Sequence, residues 1–195
     1  MSLPAENRKV LRAKMRRLRQ SLDEQTRVDA AHAVLAKLTQ CEFYKSARSI
    51  AVYYANDGEI GTDPLIQRAW AEKKTVCLPV LLAEKTLGFV TYSPDSELIE
   101  NRYGIPEPRY TTSDLLEIID LDLVLMPLVA FDHALFRLGM GGGYYDRTFR
   151  NWQGGSGQRL RLVGIGYELQ RVNTIQPASW DVPASCIITE KEIYR

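Results

Sequence analysis

A nearly continuous apolar run, residues 121–129, limits the folds open to this chain more than any other feature. It reads LDLVLMPLV and carries a single charged residue, Asp122. A strand with one face in water alternates apolar and polar residues, whereas a strand of this composition is covered on both faces, as central parallel strands are. The run is much shorter than the ~20 apolar residues of a membrane span and contains Pro127, so we expect it in a protein core.

Shorter apolar segments on both sides of this run alternate with helical patterns. Runs of β-branched and aromatic residues predict five further strands, at Ser49 to Ala55, Thr75 to Val80, Phe89 to Tyr92, Arg161 to Tyr167 and Ala184 to Thr189. Helical spacing, caps and a first-turn proline predict helices at Glu6 to Gln20, from Ser21 or Asp23 to Leu38, from Thr62 or Asp63 to Glu72, and at Tyr144 to Asn151. Residues 93–113, with three prolines, are expected to form a long loop.

Strands that alternate with helices build a mostly parallel sheet, because each helix carries the chain back across the sheet. We therefore expect an α/β fold of three layers, α/β/α, with helices on both faces of the sheet. Neither an internal repeat nor a domain linker is recognisable, so residues 1–195 are expected to form a single domain. In such folds, ligands bind beyond the carboxyl ends of the strands.

Charge and cysteine content argue against several classes of protein. The formal net charge of +1 gives no reason to expect a nucleic acid as partner. The three cysteines form no CxxC pair, which argues against a disulfide framework and a structural zinc site. The first twenty residues are charged throughout and lack the apolar core of a signal peptide. We expect a cytoplasmic monomer that binds neither nucleic acid nor a membrane.

The segment Arg137 to Arg147, RLGMGGGYYDR, is the most informative stretch for function. Its four glycines, together with the helix start that follows, allow backbone N–H groups to converge on an anion or phosphate. The segment has neither the Gly-Lys-Ser/Thr ending of a Walker A loop nor a GxGxxG fingerprint. A tight turn between strand and helix would also explain one or two of the glycines. The neighbouring Arg137, Asp146 and Arg147 favour a nucleotide-phosphate site with a metal.

Residues 127–147, PLVAFDHALFRLGMGGGYYDR, resemble the signature of the 5-formyltetrahydrofolate cyclo-ligases, also called methenyltetrahydrofolate synthetases. Further pieces of that pattern occur in order along nearly the whole chain: a basic N-terminal helix, Tyr54 with residues 57–60 (DGEI), residues 103–108 (YGIPEP), and Trp180-Asp181. The resemblance implies a three-layer α/β fold and an enzyme that uses ATP and Mg²⁺ to close 5-formyltetrahydrofolate into 5,10-methenyltetrahydrofolate. It implies no covalent catalytic residue, since ATP itself would activate the formyl oxygen.

The same resemblance implies roles for individual residues. It assigns the ATP phosphates to Arg8, Lys9 or Arg12 and to Arg137, Leu138, Gly139, Met140, Gly141, Gly142, Gly143, Tyr144 and Tyr145. It assigns the folate to Tyr54, Glu59, Tyr103, Met140, Gly143 and Tyr144, and Mg²⁺ to Asp146 and Asp181. In two places the sequence departs from the family: Arg8 rather than a lysine stands four residues before Arg12, and Trp180 replaces the common histidine before Asp181. The helix's remaining arginines, Arg16, Arg17 and Arg19, are expected to be solvated.

Two other functions fit parts of the sequence. A phosphosugar isomerase or an acyltransferase on a similar layered fold would also use a glycine-rich phosphate loop, but it would not consume ATP. A nucleic-acid-binding protein would use the basic helix, and added salt would weaken its binding steeply. The near-zero net charge and the lack of a recognised nucleic-acid module argue against the second of these functions.

Overall fold

The structure is a computed structural model that describes residues 5–152 and 160–195. In these ranges the helices are α1 Ala5–Gln20, α2 Glu24–Leu38, α3 Glu42–Ser46, α4 Asp63–Ala71 and α5 Tyr144–Thr148. The strands are β1 Ser49–Ala51, β2 Thr75–Leu81, β3 Leu87–Thr91, β4 Leu98–Glu100, β5 Pro106–Pro108, β6 Leu123–Pro127, β7 Ala130–Phe131, β8 Arg137–Leu138, β9 Arg161–Ile165, β10 Cys186–Ile188 and β11 Ile193–Tyr194.

The main sheet of the described residues has seven strands in the order β11-β10-β9-β6-β1-β2-β3. The five strands from β10 to β2 run parallel to one another, while the edge strands β3 and β11 pair antiparallel. β1 lies between β2, the next strand in the chain, and the later β6. The strand order reverses at this point, which is where open α/β sheets bind ligands. The prediction of a mostly parallel sheet is confirmed.

β6 is covered on both faces, as its apolar sequence predicts. Leu123 and Leu125 belong to a core with residues of α2, α3 and α4. Val124 and Met126 belong to a second core, on the opposite face, that includes Phe149 at the end of α5. These four β6 residues are at most 1% exposed. Helices on both faces confirm the three-layer α/β/α fold, in which irregular segments complete the layer that contains α5.

α1 packs against the β7–β8 hairpin beside the end of β6. Met15 of α1 is buried together with Ala130 and Leu138, which pair across the hairpin. Asp132, in the hairpin turn, is buried and accepts hydrogen bonds from two N–H groups of its own turn (3.0 and 3.2 Å) and from the N–H of Ile175 (2.6 Å). A carboxylate that accepts several backbone hydrogen bonds fixes a turn in one conformation. The hairpin thus gives α1 a rigid support.

β1 is shorter than predicted and ends at Ala51 rather than Ala55. The N–H of Val52 still donates to a carbonyl of β2 (2.9 Å), but beyond it the chain bonds to its own following loop. The carbonyl of Tyr53 accepts from the hydroxyl of Thr62 at 2.8 Å. The chain therefore leaves the sheet early, at the point where the strand order reverses.

Residues 93–113, expected to form a loop, contain the β4–β5 hairpin. The side chain of Asn101 organises its tip, because Oδ1 accepts from the N–H groups of Tyr103 and Ile105 at 2.9 and 3.2 Å. Gly104 adopts a φ of 69° in the same turn. The three prolines suggest a loop, but two of them lie within β5, whose short pairing with β4 leaves no alternating pattern in the sequence.

The helix boundaries follow the predicted caps. Of the two residues proposed to cap α2, Asp23 does so, since its carboxylate accepts from the N–H of Thr26 at 2.8 Å. α4 begins at Asp63, with Pro64 in its first turn. No sequence pattern predicts α3 or the two-residue strands β7, β8 and β11, because such short elements show no period. In the described part of the chain, every helix is too short or too polar to cross a bilayer.

Candidate active site

A cleft of about 610 Å³ opens beyond the carboxyl ends of β1, β2 and β6. The segments that follow β1 and β6, the loop between β8 and α5, α1, and the β4–β5 hairpin form its walls. Its volume lies in the range of small-molecule sites. With the exception of Lys9, which is exposed on α1, every residue assigned to ATP, folate or metal lines this cleft.

The glycine loop, residues 139–143, forms one wall of the cleft. Gly141 and Gly143 have φ values of 101° and 70°, a region that residues with a Cβ rarely enter. Two arginines hold its carbonyl oxygens: Arg12 Nε donates to Gly139 O (2.8 Å), and Arg147 Nη1 donates to Gly142 O (2.6 Å). The helix that follows ends at Thr148 rather than at Asn151, so its dipole is small. Any anion held here would therefore depend mainly on the loop and the arginines.

Arg8, Arg12, Arg16 and Arg19 share one face of α1, because their spacings of four, four and three residues keep them within about a quarter of a turn. The first three line the cleft. Lys9 lies about 100° round the helix from Arg8 and is exposed. Burial, followed by the charge of Arg8, lowers the pKa of Arg12 from its ordinary value. The arginine row therefore concentrates positive charge on a partly desolvated wall.

Arg19 is fully buried, so the expectation that it is solvated is wrong. Its exposed fraction is 0%. Asp57 balances its charge, with Arg19 Nη2 at 2.7 Å from Asp57 Oδ2. Arg16 binds the same carboxylate through Nε and Nη2 at 2.7 and 2.9 Å and stays partly exposed. Arg17, on the opposite side of α1, is exposed as expected.

Asp146 and Asp181, the two residues assigned to Mg²⁺, are each bound to an arginine. Asp146 Oδ1 accepts from Arg137 Nη2 at 3.0 Å and from the N–H of Val182 at 3.2 Å. Asp181 Oδ2 accepts from Arg8 Nη2 at 2.8 Å. Both carboxylates line the cleft, and both belong to compact ion pairs with residues assigned to the phosphates.

The donor set fits a metal that arrives with a nucleotide. Residues 5–152 and 160–195 contain no cluster of three or more His, Cys, Asp or Glu side chains that would bind a metal unaided. Mg²⁺ in nucleotide sites usually takes one or two carboxylates and completes its octahedron with phosphate oxygens and water. Two aspartates in the wall of one cleft suit this mode of binding, in which each would exchange its arginine for the cation.

Glu59 lies at the end of a tight turn, residues 56–59, in which its N–H donates to Asn56 O at 3.0 Å. The central residues Asp57 and Gly58 have φ values of 53° and 76°, as in a type I′ turn. The Glu59 carboxylate accepts from the N–H of Asn56 at 3.1 Å, and 12% of the side chain is exposed. Burial raises the pKa of Glu59 to about 7, although Arg19 and the Asn56 N–H oppose the shift.

Exposed aromatic residues and Met140 surround the cleft opening. Tyr54 is 37% exposed, Tyr103 53% and Met140 50%. Tyr103, at the tip of the β4–β5 hairpin, and Tyr144 hydrogen-bond through their hydroxyls (3.0 Å), with ring centroids 6.2 Å apart. Arg102 donates to the hydroxyl of Tyr144 and lies over both rings. Exposed apolar surface of this kind suits a flat ring of a ligand.

Neither the sequence pattern nor the family resemblance assigns a ligand role to Arg16, Asp57 or Arg102. Arg16 and Asp57 nevertheless line the cleft. The four-four-three spacing of the arginines carries the signal that would have identified Arg16, since it places this residue on the same helix face as Arg8 and Arg12. No comparable signal marks Arg102, because its partner Tyr144 lies 42 residues away in the chain.

Comparisons with known proteins show which family this chain belongs to. A sequence model of the 5-formyltetrahydrofolate cyclo-ligase family matches residues 4–190. The 5-formyltetrahydrofolate cyclo-ligase of Haemophilus influenzae is 38% identical over 91% of this chain and 95% of its own length, and that of Escherichia coli K12 is 41% identical over 76% and 81%. The structure of 5,10-methenyltetrahydrofolate synthetase from Aquifex aeolicus superposes with a TM-score of 0.81 at 28% identity, covering 96% of this chain and 92% of that protein. The chain therefore belongs to the 5-formyltetrahydrofolate cyclo-ligase family of enzymes.

Proposed function

We propose that this protein catalyses the ATP- and Mg²⁺-dependent cyclisation of 5-formyltetrahydrofolate to 5,10-methenyltetrahydrofolate, with release of ADP and phosphate. One observation carries the proposal: a single cleft is lined both by the glycine loop with its arginines and by the largely buried carboxylate of Glu59. The first set suits a triphosphate, and the second suits the hydrogen-bond donors of a pterin. We further propose that residues 1–195 form one domain, acting as a cytoplasmic monomer.

The ATP phosphates bind between α1 and the glycine loop. Arg8, Arg12 and Arg137 line this part of the cleft with guanidinium groups, and the N–H groups of residues 139–143 are further donors. Arg8 is favoured over Lys9 because Lys9 is exposed outside the cleft. A bound phosphate would also offset the repulsion between Arg8 and Arg12, which contributes to lowering the pKa of Arg12.

The pterin binds against Glu59, with Tyr54, Tyr103, Met140 and Tyr144 around it. The edge of its aminopyrimidone ring presents N–H donors that match the two oxygens of a carboxylate. Met140 lies between the two ligand sites. It belongs to the glycine loop, and its Sδ lies 3.8 Å from Arg19 Nη2. The same nitrogen of Arg19 lies 3.7 Å from Glu59 Oε1. A folate bound at Glu59 is therefore adjacent to the proposed phosphate site.

The formyl group of the substrate is an amide, so its carbon is a poor electrophile until its oxygen becomes a leaving group. The formyl oxygen attacks the γ-phosphorus of ATP, the bond from this phosphorus to the β–γ bridging oxygen breaks, and ADP leaves. N10 then attacks the activated carbon, phosphate departs with the former formyl oxygen, and the N10 proton is lost. The arginine row and Arg137 oppose the charge on the phosphoryl oxygens, while the cleft holds the reacting atoms in contact.

Asp146 and Asp181 would hold Mg²⁺ together with phosphate oxygens. When bound, the ion would offset negative charge on the β- and γ-phosphates. An aspartate that held the ion would free its arginine for the phosphates, and both arginines concerned, Arg137 and Arg8, line the same cleft. The ion pairs therefore keep the aspartates and arginines in place for a joint metal and phosphate site.

ATP-dependent formation of the methenyl product tests the proposed function. Purified protein with Mg-ATP and 5-formyltetrahydrofolate is expected to develop the near-ultraviolet absorbance of the product, with one ADP released for each methenyl group formed. Omission of ATP is the control, and it is expected to abolish the signal. A phosphosugar isomerase or an acyltransferase would leave ATP intact. No ATP-dependent change with reagents verified as active would refute the proposal.

Binding of 5-formyltetrahydrofolate is expected to strengthen as the pH rises through about 7. Glu59 accepts hydrogen bonds at both oxygens only when it is ionised, and burial raises its pKa to about 7. Below that pH the carboxyl group is protonated, and the affinity falls by up to about tenfold per pH unit. Titrations without ATP between about pH 5.5 and 8.5 measure this dependence. Glu59→Gln is expected to bind weakly throughout, and a constant wild-type affinity would contradict the role of Glu59.

A further inference from the structure

We propose that Arg19 is a positioning residue. It fixes the position of Glu59, the carboxylate proposed to bind the folate, relative to the glycine loop. In this role it contacts neither ligand and acts through Asp57, Glu59 and Met140. The inference rests on the proposed function, which assigns Glu59 to the folate and the glycine loop to ATP.

Each nitrogen of the Arg19 guanidinium has a partner far away in the chain. Nε donates to Asp57 O at 2.9 Å, Nη1 to Leu128 O at 3.2 Å, and Nη2 to Asp57 Oδ2 at 2.7 Å. Nη2 also lies 3.7 Å from Glu59 Oε1 and 3.8 Å from Met140 Sδ. A single buried group thus connects the turn after β1, the end of β6 and the glycine loop.

The turn that presents Glu59 needs this support. Asp57 has a φ of 53°, a left-handed backbone conformation that residues with a Cβ adopt less readily than glycine. Arg19 donates hydrogen bonds to both the carbonyl oxygen and the carboxylate of Asp57. Arg16, which lines the cleft, donates to the same carboxylate. The hydrogen bonds from Arg16 and then Arg19 lower the pKa of Asp57 to about 2. Asp57 is therefore ionised at any physiological pH, and both ion pairs persist. Backbone strain of this kind persists when the surroundings fix it.

Arg19 also places a positive charge opposite Glu59. The other titratable groups near this carboxyl are Asp57 on the same turn, Tyr53 after β1, Tyr145 in α5 and Tyr167 after β9. Asp57 disfavours ionisation of Glu59, and burial raises the pKa of each of the three tyrosines, which are therefore neutral at pH 7. Among these described groups, Arg19 is the cation that favours the ionised form of Glu59.

Stability alone cannot reveal this role, because any buried arginine with a carboxylate partner is costly to remove. A positioning role differs in what it does to the folded protein. Loss of Arg19 would loosen the turn that carries Glu59 and would remove the charge that favours its carboxylate. Both the affinity for folate and its dependence on pH would change, whereas an arginine that only supported the fold would leave the pH dependence unaltered.

Folate binding without ATP, followed between about pH 5.5 and 8.5, tests the proposal with two variants. Arg19→Gln is expected to bind 5-formyltetrahydrofolate about tenfold more weakly at pH 7, with the midpoint of its pH dependence moved to higher pH. Arg19→Lys keeps the charge but not the planar fork, so its midpoint is expected to stay near that of the wild type while its affinity falls. Arg17→Gln, an exposed position on the same helix, is the matched control and should behave as wild type.

A double variant separates the effect of Arg19 on the turn that carries Glu59 from the effect of its charge on the Glu59 carboxylate. Because Glu59→Gln has no carboxyl group to titrate, adding Arg19→Gln to it is expected to weaken binding less than the same change does in the wild type. Equal losses in the two backgrounds, or a folded Arg19→Gln with wild-type affinity and midpoint, would overturn the proposal. If Arg19→Gln does not fold, wild-type affinity in Arg19→Lys overturns it and reduced affinity supports it. Wild-type protein that bound no folate would contradict the proposed function itself.

Discussion

Replacing Asp146 by asparagine is expected to lower the turnover of 5-formyltetrahydrofolate by about 100- to 1,000-fold while the protein remains folded. The substitution preserves the size of the side chain, so the cleft keeps its shape. It removes the negative charge at the proposed metal position, and a neutral amide oxygen is a weaker ligand for Mg²⁺ than a carboxylate. The measurement is the initial rate of methenyl formation with both substrates saturating.

Asp95→Asn is the matched control for this change. Asp95 is exposed and lies outside the residues that line the cleft, so the same chemical substitution there is expected to leave turnover at the wild-type level. Equal turnover in the two variants would contradict the assignment of Asp146 to the metal. The sequence predicts that Arg19 is solvated, which would make Arg19→Ala a suitable control. In the structure Arg19 is buried against Asp57, so this variant would be a poor one.

The ion pair of Asp146 with Arg137 introduces a second effect that the experiment must separate. Arg137 is buried, and in the part of the chain that the structure describes Asp146 is the carboxylate paired with it, so Asp146→Asn removes this charged partner. The thermal midpoint is therefore expected to fall by a few degrees. Excess Mg²⁺ distinguishes the two causes. A weakened metal site regains part of its turnover at high Mg²⁺, whereas a displaced Arg137 does not respond to the cation.

The central sheet can be predicted from the sequence because burial on both faces leaves its mark on one short segment. Leu123 to Met126 are apolar without interruption, and the structure buries alternate residues against opposite layers. Elements that depend on distant partners leave no such mark. β7 and β8 have two residues each. They exist because Ala130 pairs with Leu138 and because Asp132 accepts hydrogen bonds from the N–H groups of Ala134 and Phe136 in its own turn and from that of Ile175.

The same distinction applies to the site. The glycine loop and Asp146 lie within one contiguous segment, so the local sequence is enough to predict them. The burial of Arg19 depends on Asp57, 38 residues away, and the raised pKa of Glu59 depends on its packing in the folded chain. Neither follows from the local sequence. Helical spacing nevertheless places Arg19 on the face of α1 that carries Arg12, and that signal favours a protein contact over solvent.

Gly141→Ala is expected to lower kcat/KM for ATP about 100-fold. The φ of Gly141 is 101°, which lies outside the regions that residues with a Cβ ordinarily adopt. An added methyl group would meet ordinary contacts, with Arg12 Cζ as its nearest neighbour at 3.5 Å, so the cost arises in the backbone rather than from a clash. The loop must therefore change its path, and a displacement of about 1 Å between catalytic groups and substrate can cost about 100-fold.

Two other glycines separate loop conformation from the mere presence of a methyl group. Gly139→Ala adds the methyl in the same loop without a positive φ and with Arg137 Nη1 at 3.7 Å, so a loss below about tenfold is expected. Gly104, at the hairpin tip, has a φ of 69°, and an added methyl group there would meet no atom within 4 Å among the described residues beyond its chain neighbours. Gly104→Ala therefore measures the effect of backbone strain alone on stability. Equal ATP kinetics for Gly139→Ala and Gly141→Ala would mean that the left-handed conformation is dispensable. If kcat/KM for ATP falls much further in Gly141→Ala than in Gly139→Ala, the backbone conformation of the loop determines how well it binds the triphosphate.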